Sequence, residues 1–244
     1  MYKYLTFNRY TERIFTHGEV YVRSPLEFND PFDCTIPVFP IGTVDNFRAL
    51  LHEYLREENP TASDEQLQQW TEAKLSEGEH SDPMKMKQAM DEAIENRLRR
   101  IGVYCLSAKN DDILMWSHYA NSHRGFCLEF EDDSPTPFLN RANKVTYQKE
   151  LPIFNFFDEN WHHKFLTTKS ERWSYEEEWR IIEVSGPGIC QLPEGVLSGV
   201  IFGCKMPDEH INKAISWVSR RPKSFRLYGA HVKSDLFGLD IVRL

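Results

Sequence analysis

Residues 173–182 read Trp-Ser-Tyr-Glu-Glu-Glu-Trp-Arg-Ile-Ile, and this stretch constrains the fold more than any other. Aromatic and β-branched residues followed by a Ser-Gly-Pro-Gly turn at 185–188 predict one β-strand of about ten residues in the interior of a sheet. Because side chains alternate along a strand, Glu176, Glu178 and Arg180 are expected in one row. Two carboxylates and a guanidinium in a row predict a binding site; a surface ion pair on an edge strand is the alternative.

The composition predicts one soluble domain. The chain has 244 residues, of which 41% are hydrophobic and 13% aromatic, and this is enough for one core. It has no long apolar run and no signal-peptide pattern, so a cytoplasmic protein without membrane contact is expected. Five scattered cysteines without close spacing predict neither a zinc site nor a disulfide framework. The net charge of −8 argues against broad, nonspecific binding of nucleic acid.

The order of the predicted elements favours an α+β fold with a mixed or antiparallel central sheet. Short strand patterns outnumber helix patterns and do not alternate with them regularly. The segment 45–100 differs, because apolar residues at helical spacing open it: Phe47, Leu50, Leu51, Tyr54 and Leu55. We expect a single domain, 1–244, with this segment as a helical insertion that covers the sheet. A lid or a partner surface is the alternative role.

A loop and a helix supply further polar candidates. The loop 24–34 interleaves Asn29, Asp30 and Asp33 with Phe28 and Phe32, which predicts carboxylates presented from a loop pinned to the core. An Asx turn with a hydrophobic anchor is the alternative. His118 lies on an aromatic helix that starts near residue 113, and it is either a hydrogen-bonded interior residue or a site residue.

Four separated motifs resemble a bacterial family of unknown function, number 2971. They are Tyr-Lys-Tyr at 2–4, Ser-Pro-Leu-Glu-Phe-Asn-Asp-Pro-Phe-Asp at 24–33, Met-Trp-Ser-His-Tyr-Ala at 115–120, and Trp-Ser-Tyr-Glu-Glu-Glu-Trp-Arg at 173–180. The resemblance covers nearly the whole chain outside the insertion. The family name implies no activity, so function must come from the site.

A weaker resemblance links the chain to ADP-ribosyltransferase-like domains. Tyr4 on the first strand, Tyr21 or Ser24 at the second, and a late Glu176-Glu177-Glu178 follow the order of that family, although its His or Arg-Gly on the first strand is missing. The resemblance implies a split-sandwich sheet and NAD as substrate. It implies Glu178 as the carboxylate that stabilises a ribosyl cation, with Glu176 assisting. The residues expected to bind the substrate are Tyr4, Tyr21, Ser24, Asn29, Asp30, Asp33, His118 and Arg180.

Two other functions fit the same residues. A metal-dependent nuclease would use Asp30, Asp33, Glu176 and Glu178 as Mg²⁺ ligands, but Arg180 would place a fixed cation beside that metal, so no metal is expected. A non-catalytic binding or sensor module would use the acidic row to recognise a cationic partner. No Gly-rich phosphate loop is present, which disfavours P-loop and Rossmann chemistry. The ligand expected is a small nucleotide, and the sequence does not define a macromolecular acceptor or protein partner.

Overall fold

The computed structural model describes residues 1–34, 38–39, 43–78, 83–131, 138–155, 160–219 and 225–244. The α-helices in these ranges are α1 Thr11–His17, α2 Val44–Glu58, α3 Asp64–Ser76, α4 Pro83–Arg99, α5 Ile113–Tyr119, α6 Trp161–Leu166 and α7 Asp208–Val218. Short 3₁₀ turns occur at Pro25–Glu27, Leu139–Arg141 and Glu171–Glu176. Within these ranges no helix has the length and apolar character needed to cross a membrane.

The strands are short, as the sequence pattern predicted. They are β1 Tyr2–Leu5, β2 Glu19–Val22, β3 Val38–Phe39, β4 Gly102–Ser107, β5 Phe126–Phe130, β6 Ala142–Lys144, β7 Thr146–Gln148, β8 Phe154–Asn155, β9 Thr168–Ser170, β10 Glu178–Glu183, β11 Gly188–Gln191, β12 Leu197–Phe202, β13 Arg226–Val232 and β14 Leu239–Arg243. Three small pairs, β2–β11, β3–β8 and β7–β9, stand apart from the main sheet.

The main sheet has eight strands in the order β14-β13-β12-β5-β1-β4-β10-β6. Neighbouring strands are antiparallel except β12 and β13, which are parallel. This mixed sheet with flanking helices confirms the α+β class. The strand β10 is not at the middle of the sheet, because only the three-residue strand β6 separates it from the edge.

The two faces of the sheet differ. On one face, α1, α7 and the β2–β11 pair cover a large apolar core that includes Phe15, Leu128 and Val200. On the other face, α5 packs Met115 and Trp116 against Tyr4 and Cys127. Strand alternation places Cys105, Glu178 and Arg180 on this second face, since Cys105 lies opposite Arg180 and Glu178 opposite Ser107. Cys105, Glu178 and Arg180 therefore lie on the face of the sheet that α5 covers.

The prediction of a ten-residue strand at 173–182 is wrong for the first half of that stretch. Residues Glu171–Glu176 form a 3₁₀ turn that opens at Ser170, whose hydroxyl accepts from the Arg172 amide. Glu177 then adopts a left-handed conformation, with φ of 42°, and β10 begins only at Glu178. Turn-forming side-chain bonds thus overrode the alternating pattern. Glu178 and Arg180 keep their predicted row, and Glu176 approaches them from the turn.

The described residues of the segment 45–100 are mainly helical, as predicted, and form α2, α3 and α4. Capping boxes at Thr43 and Ser63 start α2 and α3, and these two helices pack on each other. The end of α4 is different, because Leu98 is buried against Trp161, Phe165 and Cys34. The Leu98 carbonyl also accepts a hydrogen bond of 2.9 Å from the Ser24 hydroxyl. The C-terminal end of α4 is therefore packed against the loop 24–34.

A truncation pair tests the insertion. Replacing 44–76 by a short flexible linker is expected to leave a folded core, because α2 and α3 pack mainly on each other. Extending the deletion through Leu98 removes a fully packed side chain, which costs about 2–5 kcal/mol, and opens the cluster beneath it. Circular dichroism and urea unfolding of both proteins measure this. Loss of fold in the shorter deletion would show that the whole segment belongs to the main core.

Candidate functional site

A cavity of about 630 Å³ lies where β1 separates from β4. The two strands pair at a single position, Tyr2 with Ser107, whereas β1 pairs with β5 along its whole length. The next contact along β4 is a bridge between Arg23 and Val103. The edge of β4 between these points faces the cavity instead of a strand.

Six of the predicted site residues line this cavity: Tyr4, Tyr21, Asn29, Asp33, Glu176 and Glu178. They come from β1, β2, the 24–34 loop, the 3₁₀ turn and β10. Tyr4 is buried, its ring meets Trp116 edge-on at 5.2 Å, and its hydroxyl donates to the Lys109 carbonyl at 2.9 Å. Tyr21 is exposed at the rim. The structure thus brings the two predicted tyrosines and three of the four predicted carboxylates to one cavity.

The other four predicted contacts lie away from the cavity wall. The Ser24 hydroxyl is used by the Leu26 amide and the Leu98 carbonyl. Asp30 accepts from the Phe32 amide at 2.9 Å, which is the Asx turn held open as the alternative. His118 is exposed on α5, with its ring 6.2 Å from that of Trp173. These three side chains support the local structure instead of lining the site.

Arg180 is the fourth predicted residue that does not line the cavity. Its side chain is 0% exposed and lies behind the carboxylates of Asp33 and Glu178. Its Nη1 and Nη2 donate to the two oxygens of Asp33 at 3.0 and 2.6 Å. Its Nε and Nη2 donate to the two oxygens of Glu178 at 2.8 and 3.0 Å, and Nη1 also donates to the Leu166 carbonyl at 2.7 Å. One guanidinium therefore fixes both carboxylates in forked pairs, which is the geometry that arginine provides and lysine does not.

Lys169 joins the same network from β9. Its ammonium lies 2.5 Å from Glu176, 3.1 Å from Glu178 and 3.5 Å from Asp33. The Trp173 ring covers it at 5.1 Å. Burial lowers the pKa of Lys169, but the three carboxylates outweigh burial and hold that pKa above its usual value. Lys169 is therefore a fixed cation at the point where the carboxylates converge.

The network contains three carboxylates and two cations, which leaves one negative charge in excess when all three carboxylates are ionised. Burial raises the pKa of Glu178, yet Arg180 and Lys169 outweigh it and hold that pKa well below the usual carboxyl range. Burial raises the pKa of Glu176 as well, and there the attraction of Lys169 does not cancel burial and the charge of Glu178. Glu178 therefore stays ionised, and Glu176 is the one of the two glutamates that binds a proton more readily.

Neighbouring groups position these two glutamates. The Tyr119 hydroxyl donates to the Glu176 carboxylate at 2.7 Å, and the Ser107 hydroxyl donates to the Glu176 carbonyl at 2.6 Å. The Glu178 amide donates to the Tyr147 hydroxyl at 2.8 Å. The Cys105 thiol contacts the Glu178 carboxylate, and burial together with that charge raises the pKa of Cys105 to about 12. At neutral pH this thiol is protonated and unreactive.

The arrangement does not favour a metal. Within the described ranges, no group of three or more His, Cys, Asp or Glu side chains is placed to hold a metal ion. Asp33, Glu176 and Glu178 do converge, but the Lys169 ammonium occupies the point that a Mg²⁺ ion would need. The nuclease hypothesis has no support in this geometry.

Sequence reasoning missed Lys169, Tyr119 and Lys3 as site residues. Lys169 and Tyr119 reach the glutamates from separate elements, so their distances depend on packing that no local pattern encodes. Lys3 had a readable signal, because a lysine between Tyr2 and Tyr4 on an interior strand needs a partner for its charge. Its ammonium donates to the Cys105 carbonyl at 2.7 Å across the gap between β1 and β4.

The opposite pKa shifts of the two glutamates predict that matched substitutions change stability by different amounts. Glu178 has a lowered folded pKa, so its stabilising contribution is complete above the unfolded pKa and is lost as pH falls through the folded one. Glu176 has a raised folded pKa, so its ionisation weakens the folded state as pH rises through that value. Glu178→Gln is expected to lower the free energy of unfolding by about 3 kcal/mol at neutral pH, because it leaves Arg180 underpaired.

Glu176→Gln is expected to cost less than about 1 kcal/mol at neutral pH, since it removes the excess charge. Its stability relative to the wild type should rise as pH rises from about 4 to 7, the range above the usual pKa of glutamate. Urea unfolding of both variants over this range is the measurement. Equal losses for the two substitutions, or a relative stability of Glu176→Gln that falls with pH, would contradict the charge assignment.

No curated protein and no solved structure matches the chain. One family model matches residues 115–181, a shorter stretch than the predicted resemblance, and this stretch contains α5, Lys169, Glu176, Glu178 and Arg180. Over these residues the match bears out the predicted resemblance to the family described as protein of unknown function (DUF2971).

Proposed function

We propose that the protein cleaves the bond between nicotinamide and ribose in NAD⁺ and passes the ADP-ribosyl group to water or to another acceptor. The observation that carries the proposal is the excess negative charge of the Asp33, Lys169, Glu176, Glu178 and Arg180 network on the wall of a cavity lined by tyrosines. Cleavage of this bond develops positive charge on the ribose. A preorganised anion on buried side chains such as Glu176 and Glu178 stabilises this charge more strongly than solvent does.

The two glutamates suit two roles in this reaction. Glu178 is always ionised and held by Arg180, so it is the fixed charge that stabilises the ribosyl cation. Nicotinamide leaves with the electron pair of the broken bond. The acceptor oxygen then bonds to the same ribose carbon and gives its proton to Glu176, whose raised pKa favours uptake of a proton.

The aromatic residues suit the flat ends of the substrate. Tyr4 and Tyr21 lie on the cavity wall at different depths, with Tyr4 buried and Tyr21 exposed at the rim. Tyrosine faces bind planar rings with an apolar contact and keep a polar edge for orientation. The split-sandwich fold belongs to the same proposal, and it is supported by the separation of β1 from β4 around the cavity.

The test is release of nicotinamide. Purified protein is incubated with NAD⁺, alone and with a cell extract as a source of acceptors, and nicotinamide and ADP-ribosylated products are followed by mass spectrometry. We expect nicotinamide release that does not require Mg²⁺. Absence of release under both conditions, with the protein folded, would overturn the proposal.

A non-catalytic binding module is the second candidate. The observation in its favour is that both oxygens of Glu178 already accept from Arg180, an arrangement also typical of a structural ion pair. The two functions differ in one result. A binding module raises its melting temperature with NAD⁺ or ADP-ribose and releases no nicotinamide.

A further inference from the structure

Two cations flank the unpaired edge of β4 on the cavity wall. At one end of this edge, Tyr2 pairs with Ser107, and Lys3 is the next residue of β1. At the other end, Arg23 forms the bridge to Val103. Both side chains line the cavity. Between them, the Cys105 carbonyl points into the gap and accepts from the Lys3 ammonium at 2.7 Å.

Neither cation has an anionic partner in the described part of the chain. The Lys3 ammonium has the Cys105 carbonyl and the Tyr104 ring, whose centre is 4.9 Å away. Burial lowers the pKa of Lys3 and the positive charge of Arg23 lowers it further, whereas the charges of Glu178 and Glu176 act in the opposite direction. Within the described ranges Arg23 forms no side-chain hydrogen bond or ion pair, although it is exposed at the cavity rim.

Arg13 gives an internal comparison. It lines the same cavity, but its guanidinium is forked onto Glu19 at 2.5 and 2.7 Å. Its charge is therefore already neutralised by the protein. Lys3 and Arg23 instead repel each other, and an anion bound between them would remove that repulsion.

We propose that Lys3 and Arg23 form a phosphate-binding subsite in this cavity, and that it holds the diphosphate of a nucleotide whose ribose faces Glu176 and Glu178. The second half of this statement rests on the proposed function; the first half does not. Arginine offers a planar fork of donors that fits phosphate oxygens, and lysine adds a compact charge. The acidic network repels phosphate, so the two groups of charges fix the direction of the ligand along the cavity.

The test is calorimetric titration of the full chain with ADP, which carries the diphosphate but no nicotinamide bond. Low ionic strength is used, because salt screens the interaction. We expect Arg23→Gln to weaken ADP binding about tenfold or more, the effect of losing one charge-assisted contact, and to leave adenosine binding unchanged. Arg13→Gln is the matched control, and it is expected to change ADP affinity less than about twofold.

Arg23 is the better position for substitution because Lys3 also caps the Cys105 carbonyl, and its loss could unfold the sheet. Equal weakening by Arg23→Gln and Arg13→Gln would indicate a diffuse positive field and overturn the subsite. Absence of ADP binding to the wild type, or no effect of Arg23→Gln, would overturn it too. ADP binding that depends on Arg23, without nicotinamide release from NAD⁺, would support the subsite and contradict only the cleavage proposal.

Discussion

Replacing Arg180 by methionine is expected to lower the free energy of unfolding by about 3–5 kcal/mol at neutral pH, the cost of breaking a buried ion pair. Methionine matches the length and apolar stem of arginine but removes the Arg180 donors from Asp33, Glu178 and the Leu166 carbonyl. Lys169 alone would then face three carboxylates. Urea unfolding followed by circular dichroism and tryptophan fluorescence measures the change.

Arg141→Met is the matched control. Arg141 also pairs with a glutamate of β10, Glu183, but its side chain is 52% exposed. Exposed ion pairs contribute at most about 1 kcal/mol, so this variant should unfold close to the wild type. Similar losses in the two variants would mean that the buried network does not hold the 24–34 loop and β10 together.

Replacing Glu178 by glutamine is expected to lower nicotinamide release by about 10²-fold or more per folded molecule, while NAD⁺ binding changes little. Glutamine keeps the shape and the acceptor oxygen but removes the charge that stabilises a ribosyl cation. Its effect therefore falls on turnover instead of ground-state binding. Release rates and calorimetric affinities, both corrected for the folded fraction, separate the two quantities.

Glu177→Gln is the control for this experiment. Glu177 is the preceding residue, but its side chain is 46% exposed and pairs with Lys109 at the surface. We expect unchanged nicotinamide release. If both variants lose activity equally, the loss reflects a disturbed turn at 171–177 and not the charge of residue 178.

The sequence predicted the row of Glu178 and Arg180 because those residues do lie on a strand, where alternation is a reliable rule. It placed Glu176 beside Glu178 correctly, but for the wrong reason. Glu176 does not lie on the strand; the 3₁₀ turn and the left-handed Glu177 bring its side chain back to Glu178. The helices of 45–100 followed from apolar spacing. In these cases the structure is determined by residues that are close together in the sequence.

The roles of Lys169, Tyr119 and Arg180 could not be read in the same way. Arg180 was expected to face a ligand, but it is enclosed because Asp33, 147 positions earlier, packs onto it. The cavity itself depends on β1 leaving β4 after one pair, and no residue of either strand signals that separation. Patterns along the chain give faces of elements, whereas partners across elements require the tertiary structure.

The most direct test of the central claim is a crystal structure of the Glu178→Gln variant with NAD⁺, in which slowed cleavage preserves the dinucleotide. The account predicts the nicotinamide-bearing ribose against residues 176 and 178, with the diphosphate at Lys3 and Arg23. NAD⁺ bound outside the cavity between β1 and β4, or inside it with the nicotinamide ribose turned away from both residues, would contradict the account.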